Sequence, residues 1–226
     1  MKNNNILIIA SHPDDEILGC GGTITRLVAE GAQAYTLILG TGITSRLEIV
    51  SKDQPGKLNA LKEQAVAANK IIGVKDVIFE TFPDNKFDSI AMLDIVKTIE
   101  NIKNKIKPNI IFTHYQNDLN IDHQITNQAV LTATRPMIGE SVKEIYAFEV
   151  LSSTEWHYPL TFFPNTFFDI SNTLDKKIEA MSKYKLELKD YPHPRSLKNI
   201  ELNAEYWGNR VGIKYCEVFQ CLRNVR

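Results

Sequence analysis

The stretch Ile6-Leu-Ile-Ile-Ala10, followed at once by Ser11-His-Pro-Asp-Asp-Glu16, decides the fold class of this chain. The first part is a continuous run of mostly branched apolar residues, which is typical of a central parallel strand covered on both faces. The second part is a polar loop with one imidazole and three carboxylates. Because open parallel sheets bind ligands beyond the carboxyl ends of their strands, this loop is a candidate functional site.

Strand-like and helix-like segments alternate from this point to about residue 150. Further strands are predicted at Ala34–Leu39, Asp76–Glu80, Asn109–Thr113 and Glu144–Val150. Helices are predicted between them at Thr23–Glu30, Lys57–Ile72, Met92–Ile106 and His123–Ala133. Such alternation predicts an α/β fold, with a mainly parallel sheet and helices on both of its faces.

The last third of the chain is less regular. Trp156–Phe168 is rich in aromatic residues and proline, and Leu174–Leu188 and Ile200–Asn209 have a helical period. Tyr215–Leu222 alternates between apolar and polar residues, which predicts an edge strand. Since no repeat or linker is visible, residues 1–226 are predicted to form a single domain with an irregular C-terminal third.

Composition excludes several classes of protein. The 226 residues are 43% hydrophobic, and 26 basic residues nearly cancel 27 acidic ones, so bulk positive charge for nucleic-acid binding is absent. The three cysteines form no CxxC pair, which argues against thiolate zinc and dithiol redox sites. No apolar run reaches the length of a signal h-region or a membrane span. We therefore expect a cytoplasmic protein without a membrane span or a nucleic-acid partner.

The loop after the first strand has the composition of a metal site. Neighbouring carboxylates resist joint ionisation unless a cation compensates them. Zinc accepts both imidazole nitrogen and carboxylate oxygen, so His12 and Asp15 can share one ion while Asp14 points elsewhere. Pro13 restricts the backbone around His12 and would help to fix the ligand geometry. The alternative is a surface turn in which Asp14 or Asp15 caps the following helix.

A second polar segment, Asn117-Asp-Leu-Asn-Ile-Asp-His123, follows the predicted strand Asn109–Thr113. If both strands are parallel, the two segments lie at the same rim of the sheet, and His123 supplies a third ligand. Three protein ligands plus water are typical of a catalytic zinc site. The alternative is that His123 is a surface residue at a helix start, with Asp122 as the cap.

Together the two segments resemble a known family. His12-Pro-Asp-Asp-Glu16 followed by Asn120-Ile-Asp-His123 is similar to the PIG-L/LmbE family of zinc-dependent N-deacetylases, and the resemblance covers most of the chain. Gly21-Gly22, Gly40–Arg46 and Phe82–Asn85 also match. The resemblance implies a Rossmann-like fold and removal of the acetyl group from small N-acetylglucosamine-type amino-sugar conjugates. It also implies one Zn²⁺ ion, with other divalent transition metals as alternatives.

The resemblance implies roles for individual residues. His12, Asp15 and His123 match the zinc ligands, and Asp14 matches the general base. The family usually has His-x-x-His in its second motif, whereas this chain has Asn120 at the first position. An amide can donate a hydrogen bond to a carbonyl but cannot deliver a proton at neutral pH.

The departure at Asn120 leaves the proton donor to the leaving amine open. Asp14, once protonated by the attacking water, is one candidate. The other is His114, at the end of the predicted strand Asn109–Thr113 that precedes the second motif; the alternative for His114 is packing within the loop. Asp122 is expected to orient a neighbouring side chain.

Three further residues are candidate substrate contacts. Arg46, in the Gly/Ser/Thr-rich loop Gly40–Gly56, pairs with a phosphate or carboxylate of the substrate or is a solvated charge. Asp84 binds sugar hydroxyls or forms an Asx turn after Pro83. Arg195 recognises an anionic part of the substrate or lies in a surface loop or subunit contact. The aromatic segment Trp156–Phe168 is a candidate contact surface for a homo-oligomer.

Two other functions fit the same residues. One is metal-dependent hydrolysis of another small amide or ester at the same site. The other is a Rossmann-like sugar-binding protein without turnover, and its support is Asn120 in the place of the family histidine.

Overall fold

The apolar run after the amino terminus forms the central strand β1 (Asn5–Ala10) in the computed structural model, which describes residues 4–42 and 54–226. Ile6 to Ala10 have no exposed surface. β1 pairs in parallel with β2 (Gln33–Gly40) on one side and with β4 (Ile110–His114) on the other. The strand is therefore the buried centre of a parallel sheet, as the sequence predicts.

Seven strands of the described part of the chain form one sheet in the order β3-β2-β1-β4-β5-β7-β6. The parallel part is completed by β3 (Asp76–Phe82) and β5 (Glu144–Phe148). The helices are α1 (Asp15–Ala29), α2 (Gln54–Ile71), α3 (Met92–Ile106), α4 (Ile121–Ala133), α5 (Leu174–Met181) and α6 (Leu197–Val211). One apolar cluster joins the sheet to α1, α2, α5 and α6, and another joins it to α3 and α4. Helices thus cover both faces, and the predicted α/β fold is confirmed.

The far end of the sheet differs from the prediction. The segment predicted as an edge strand forms β7 (Cys216–Asn224), which lies inside the sheet and is antiparallel to both of its neighbours. The edge is β6 (Thr166–Asp169), which begins inside the aromatic segment Trp156–Phe168, where no strand is predicted. Four residues are too few to show a period of two, so this strand is defined by its pairing with β7.

Two helix boundaries also differ from the sequence prediction. α1 begins at Asp15 rather than at Thr23, although Gly19, Gly21 and Gly22 disfavour a helix there. A Cβ on Gly19 would lie 2.3 Å from the Phe148 ring, so close packing against β5 explains a glycine within the helix.

α5 ends at Met181 rather than at residue 188. The chain leaves the helix there and buries Tyr184 and Glu187. No helix among the described residues is both long and apolar enough to span a membrane.

Gly19→Ala tests whether α1 depends on this close packing. We expect the substitution to lower the free energy of unfolding by about 2 kcal/mol, because the new methyl group overlaps the Phe148 ring. Gly21→Ala is the matched control: its nearest neighbour, an Ile17 side-chain atom, is 3.3 Å away, and alanine has the higher helix propensity. Urea denaturation measures both variants. Equal destabilisation of the two would contradict the packing explanation.

Candidate active site

The two polar segments meet at one rim of the sheet because β1 and β4 are adjacent and parallel. His12 and Asp15 follow β1, and His123 lies in the first turn of α4, which follows β4. One ligand atom from each of these residues lies within 4.8 Å of the others. Oδ2 of Asp15 is 3.4 Å from Nδ1 of His12 and 3.3 Å from Nε2 of His123. The three predicted ligands therefore form one buried cluster.

This cluster fits a divalent transition metal. Nε2 of His123 is buried and has no hydrogen-bond partner among the described residues. Two imidazoles and a carboxylate are a donor set that zinc accepts. His12, Asp84 and Asp122 form a second group of equally close ligand atoms. In that group, however, Nε2 of His12 and Oδ2 of Asp122 already bond each other at 2.9 Å, whereas Nε2 of His123 in the first group has no such partner among the described residues, so the first group is the better metal site.

Two aspartates lie against the imidazole rings: Asp122 hydrogen-bonds the ring of His12, and Asp118 is within ion-pair distance of the ring of His123. Nε2 of His12 is 2.9 Å from Oδ2 of Asp122, and Nδ1 of His123 is 3.1 Å from Oδ1 of Asp118. Asp118 also accepts the hydroxyl groups of Ser153 and Thr154. Carboxylates in such positions fix the orientation of histidine ligands. The orienting role predicted for Asp122 agrees with this geometry, whereas Asp118 was missed although it stands in the same polar segment.

The carboxylates change the protonation of both histidines in the metal-free protein. Burial lowers the pKa of His12, but hydrogen bonds to Asp122 and Asp15 outweigh it and raise the pKa to about 9. At His123 burial also lowers the pKa, but the charges of Asp15 and Asp118 outweigh it and raise the pKa to about 10. Without a metal, protons on both rings therefore balance the buried negative charge near neutral pH.

Asp14 stands beside the cluster in an unusual backbone conformation. Its φ is 103°, in a region that side chains rarely adopt and that often marks functional sites. The carboxylate lines the cavity, and its Oδ2 is 3.2 Å from Nη1 of Arg195, which also bonds Oε2 of Glu187 at 2.8 Å. Burial and the charges of Glu187 and Asp15 hold the pKa of Asp14 well above its usual range, against the opposing effect of Arg195. Such a carboxylate can accept and retain a proton.

Glu16 supports Asp14 from inside the protein. It has no exposed surface, and its carboxylate accepts the backbone N–H of Asp14 at 3.1 Å, the amide of Asn69 at 2.8 Å and the hydroxyl of Tyr184. Burial raises the pKa of Glu16 to about 7. The sequence contains Glu16 within the first motif, but it carries no signal for the contributions of Asn69, Tyr184 and Glu187.

Asn120 and Asp84 line the same cavity. Asn120 caps α4 by accepting the backbone N–H of Asp122, while its Nδ2 donates to Oδ1 of Asn85 at 3.0 Å. Oδ1 of Asp84 is 3.2 Å from Nε2 of His12. Both residues are thus next to the proposed ligands. Arg46 lies outside the described residues.

Two predicted residues have different surroundings from those expected. His114 has no exposed surface, its Nε2 accepts the backbone N–H of Ser11 at 2.8 Å, and its ring stacks on His123 at 3.9 Å. Burial holds its pKa well below the usual range. This placement argues against His114 as the proton donor and makes it a support for His123. Arg195 reaches the cavity but is paired with protein carboxylates, so its predicted anion contact stays a prediction.

Fold and site together define an α/β protein with a metal-type cluster and a buried carboxylate at the carboxyl ends of its strands. The sequence profile of PIG-L, described as GlcNAc-PI de-N-acetylase, matches residues 7–134. Because the match covers more than half of the chain, the protein belongs to this family, and the predicted resemblance is confirmed.

The individual relatives share less than a third of their aligned residues with this chain. The uncharacterized deacetylase YaiS of Escherichia coli K12 is 28% identical over 190 residues, which are 81% of this chain and 92% of YaiS. Diacetylchitobiose deacetylase of Thermococcus kodakarensis is 25% identical over 219 residues, which are 94% of this chain and 80% of that deacetylase. The crystal structure of GalB, the 4-carboxy-2-hydroxymuconate hydratase of Pseudomonas putida, has a TM-score of 0.78 at 21% identity, with 99% and 98% coverage. That last likeness shows the fold alone.

Substitution of the ligands tests the metal site. We expect His123→Ala to lose most bound zinc, because only His12 and Asp15 remain of the three ligands. Asp118→Asn should weaken zinc binding about 10- to 100-fold, because the ring of His123 loses its orienting carboxylate. Elemental analysis after dialysis measures both, with His157→Ala as the control histidine. Unchanged zinc in His123→Ala would remove that residue from the ligand set.

Zinc binding should also depend on pH. Metal coordination needs both imidazoles unprotonated, whereas the pKa values of His12 and His123 are about 9 and about 10 in the metal-free protein. Binding must therefore release protons, and the apparent association constant should rise about tenfold or more per unit between about pH 7 and pH 9. Competition with a chelator of known pH dependence gives this slope. A flat profile would contradict protonated histidines in the metal-free site.

Proposed function

We propose that this protein removes the N-acetyl group from a small N-acetylglucosamine-type amino-sugar conjugate by metal-dependent hydrolysis. The observation that carries the proposal is the position of Asp14, a buried carboxylate of raised pKa that shares one cavity with His12, Asp15 and His123. A proton acceptor beside a metal-type cluster is the arrangement that hydrolysis of an unactivated amide requires.

The relatives favour this reaction over other hydrolyses. YaiS is called a deacetylase, and the Thermococcus protein is named for deacetylation of diacetylchitobiose. The Pseudomonas neighbour is a hydratase, so the fold by itself does not choose the reaction. The alternative amidase, esterase and sugar-binding functions therefore rank behind N-deacetylation.

His12, Asp15 and His123 would hold a single divalent transition metal, which we propose to be zinc. When bound, it supplies Lewis-acid chemistry that acidifies water and offsets negative charge on the acetyl oxygen. Asp122 and Asp118 keep the two imidazoles oriented toward the cluster. Glu16 holds the backbone of Asp14 and thereby positions the neighbouring carboxylate.

Asp14 carries the proton in both halves of the proposed reaction. Its carboxylate takes a proton from the attacking water, whose oxygen bonds to the acetyl carbon. The same carboxyl group then returns the proton to the amide nitrogen as the carbon–nitrogen bond breaks, which yields acetate and the free amine. The raised pKa of Asp14 suits both steps, and it removes the need for a histidine at position 120.

The surrounding residues would bind and orient the substrate. Asn120 has two amide N–H groups and gives one to Asn85, so the other can hydrogen-bond the substrate acetamido group. We propose that Asp84 accepts a sugar hydroxyl and that Arg195, besides holding Asp14, faces an anionic carrier. Arg46 as a substrate contact, the cytoplasmic location and a homo-oligomer stay predictions.

Replacement of the proposed base separates turnover from metal binding. We expect Asp14→Asn to keep its zinc but to release acetate about 10²- to 10⁴-fold more slowly, because the amide cannot accept the proton. Asparagine tolerates the positive φ at this position, so the backbone should persist. Acetate is measured with a panel of N-acetylated sugar conjugates, and exposed Asp88→Asn is the control. Wild-type turnover in Asp14→Asn would reject the base assignment, and no acetate from any conjugate with zinc-loaded wild type would reject the proposed function.

A further inference from the structure

A second cavity, larger than the one at the metal cluster, lies in the C-terminal third. It has a volume of about 420 Å³, which is in the range of small-molecule sites. A short turn separates the two cavities: Ser153 lines the first and the adjacent Thr154 lines the second. None of the residues that line the first cavity also lines the second.

The floor of the second cavity is polar and held in a fixed arrangement. Oε1 of Glu149 accepts the indole N–H of Trp207 and the amide N–H of Asn203, both at 2.8 Å. Oε2 of Glu149 has no hydrogen-bond partner among the described residues. Burial raises the pKa of Glu149, so the group gains from a ligand that donates hydrogen bonds. The floor therefore offers a hydrogen-bond acceptor to a ligand.

The walls of this cavity are aromatic and partly open to solvent. Phe162, Phe163, Phe167, Tyr206 and Trp207 line it. The side chain of Phe163 is 72% exposed and that of Tyr206 is 52% exposed. Exposed aromatic surface of this kind, rimmed by polar groups, is typical of a binding site. A ligand that fits must present both an apolar face and hydrogen-bond donors.

We propose that this cavity binds a sugar ring. A pyranose has an apolar C–H face, which would stack on Tyr206 or Phe163, and hydroxyl groups, which would donate to Glu149. Arg210 lies 5.6 Å and 5.4 Å from the ring centroids of Tyr206 and Trp207, and its charge opposes those of Glu149 and Glu155, which line the same cavity. An anionic ligand is disfavoured by the two half-buried carboxylates that line the cavity, Glu149 and Glu155.

The assignment of this sugar as part of the substrate rests on the proposed function. The two cavities lie on either side of the turn Ser153–Thr154, and we assign the second to the carrier sugar of a conjugate whose acetamido group lies in the first. Binding itself requires no deacetylation, so it can be tested without turnover.

Fluorescence titration of the full chain tests the inference, because Trp207 forms part of the wall. The probes are the methyl glycosides and β-1,4-linked trisaccharides of glucose, glucosamine and N-acetylglucosamine. We expect at least one probe to bind saturably and Tyr206→Ala to weaken it about tenfold through loss of an aromatic face. Tyr191→Ala is the matched control, since Tyr191 is 54% exposed and lies outside the cavity. Phe163→Ala should weaken binding too.

Three results would overturn the inference. One is no binding of any probe up to about 10 mM, where even a weak site saturates. Another is equal affinity in Tyr206→Ala and Tyr191→Ala. The third is self-association that Phe163→Ala abolishes without any sugar binding, which would assign this face to a second copy of the chain. Failure of the proposed function has a separate signature, namely no acetate release by the zinc-loaded wild type, whatever the state of this cavity.

Discussion

The need to balance buried negative charge at the carboxyl ends of β1 and β4 is the constraint on which the site depends. Asp14, Asp15, Glu16, Asp118 and Asp122 all lie in this region and are at most 5% exposed. Removing carboxylates from water is costly unless hydrogen bonds, protons or cations replace the lost solvation. Each of the five has such a partner, and a metal ion would take the place of protons on the two histidine ligands. The proposed metal binding, the proposed proton transfer and the local folding therefore depend on one electrostatic requirement.

The irregular C-terminal third completes this balance. Tyr184 donates to Glu16, and Arg195 pairs with Asp14 and Glu187. Beyond the end of α5 at Met181 the chain buries both Tyr184 and Glu187, which places them against Glu16 and Arg195. The same third also builds the aromatic cavity, so it serves the proposed chemistry on one side of a short turn and the proposed sugar site on the other.

Asn120 explains how the site differs from the usual family pattern. It caps α4 and is bonded to Asn85, so its side chain connects the helix that carries His123 to the loop that holds Asp122. Because His114 is buried behind His123, Asp14 is the group in the cavity best placed to carry the proton. The substitution at position 120 is thus compatible with catalysis by one carboxyl group.

The sequence by itself determined the parallel core and the proposed ligands His12, Asp15 and His123. Both depend on local order: apolar runs specify buried strands, and polar segments directly after adjacent strands must share one rim. The start of α1, the inner position of β7 and the roles of Asp118 and Tyr184 were decided by tertiary structure. The bonds from Tyr184 to Glu16 and from Arg195 to Asp14 join residues 168 and 181 positions apart. No local pattern encodes such pairs, because they arise only when packing buries one polar or charged group against another.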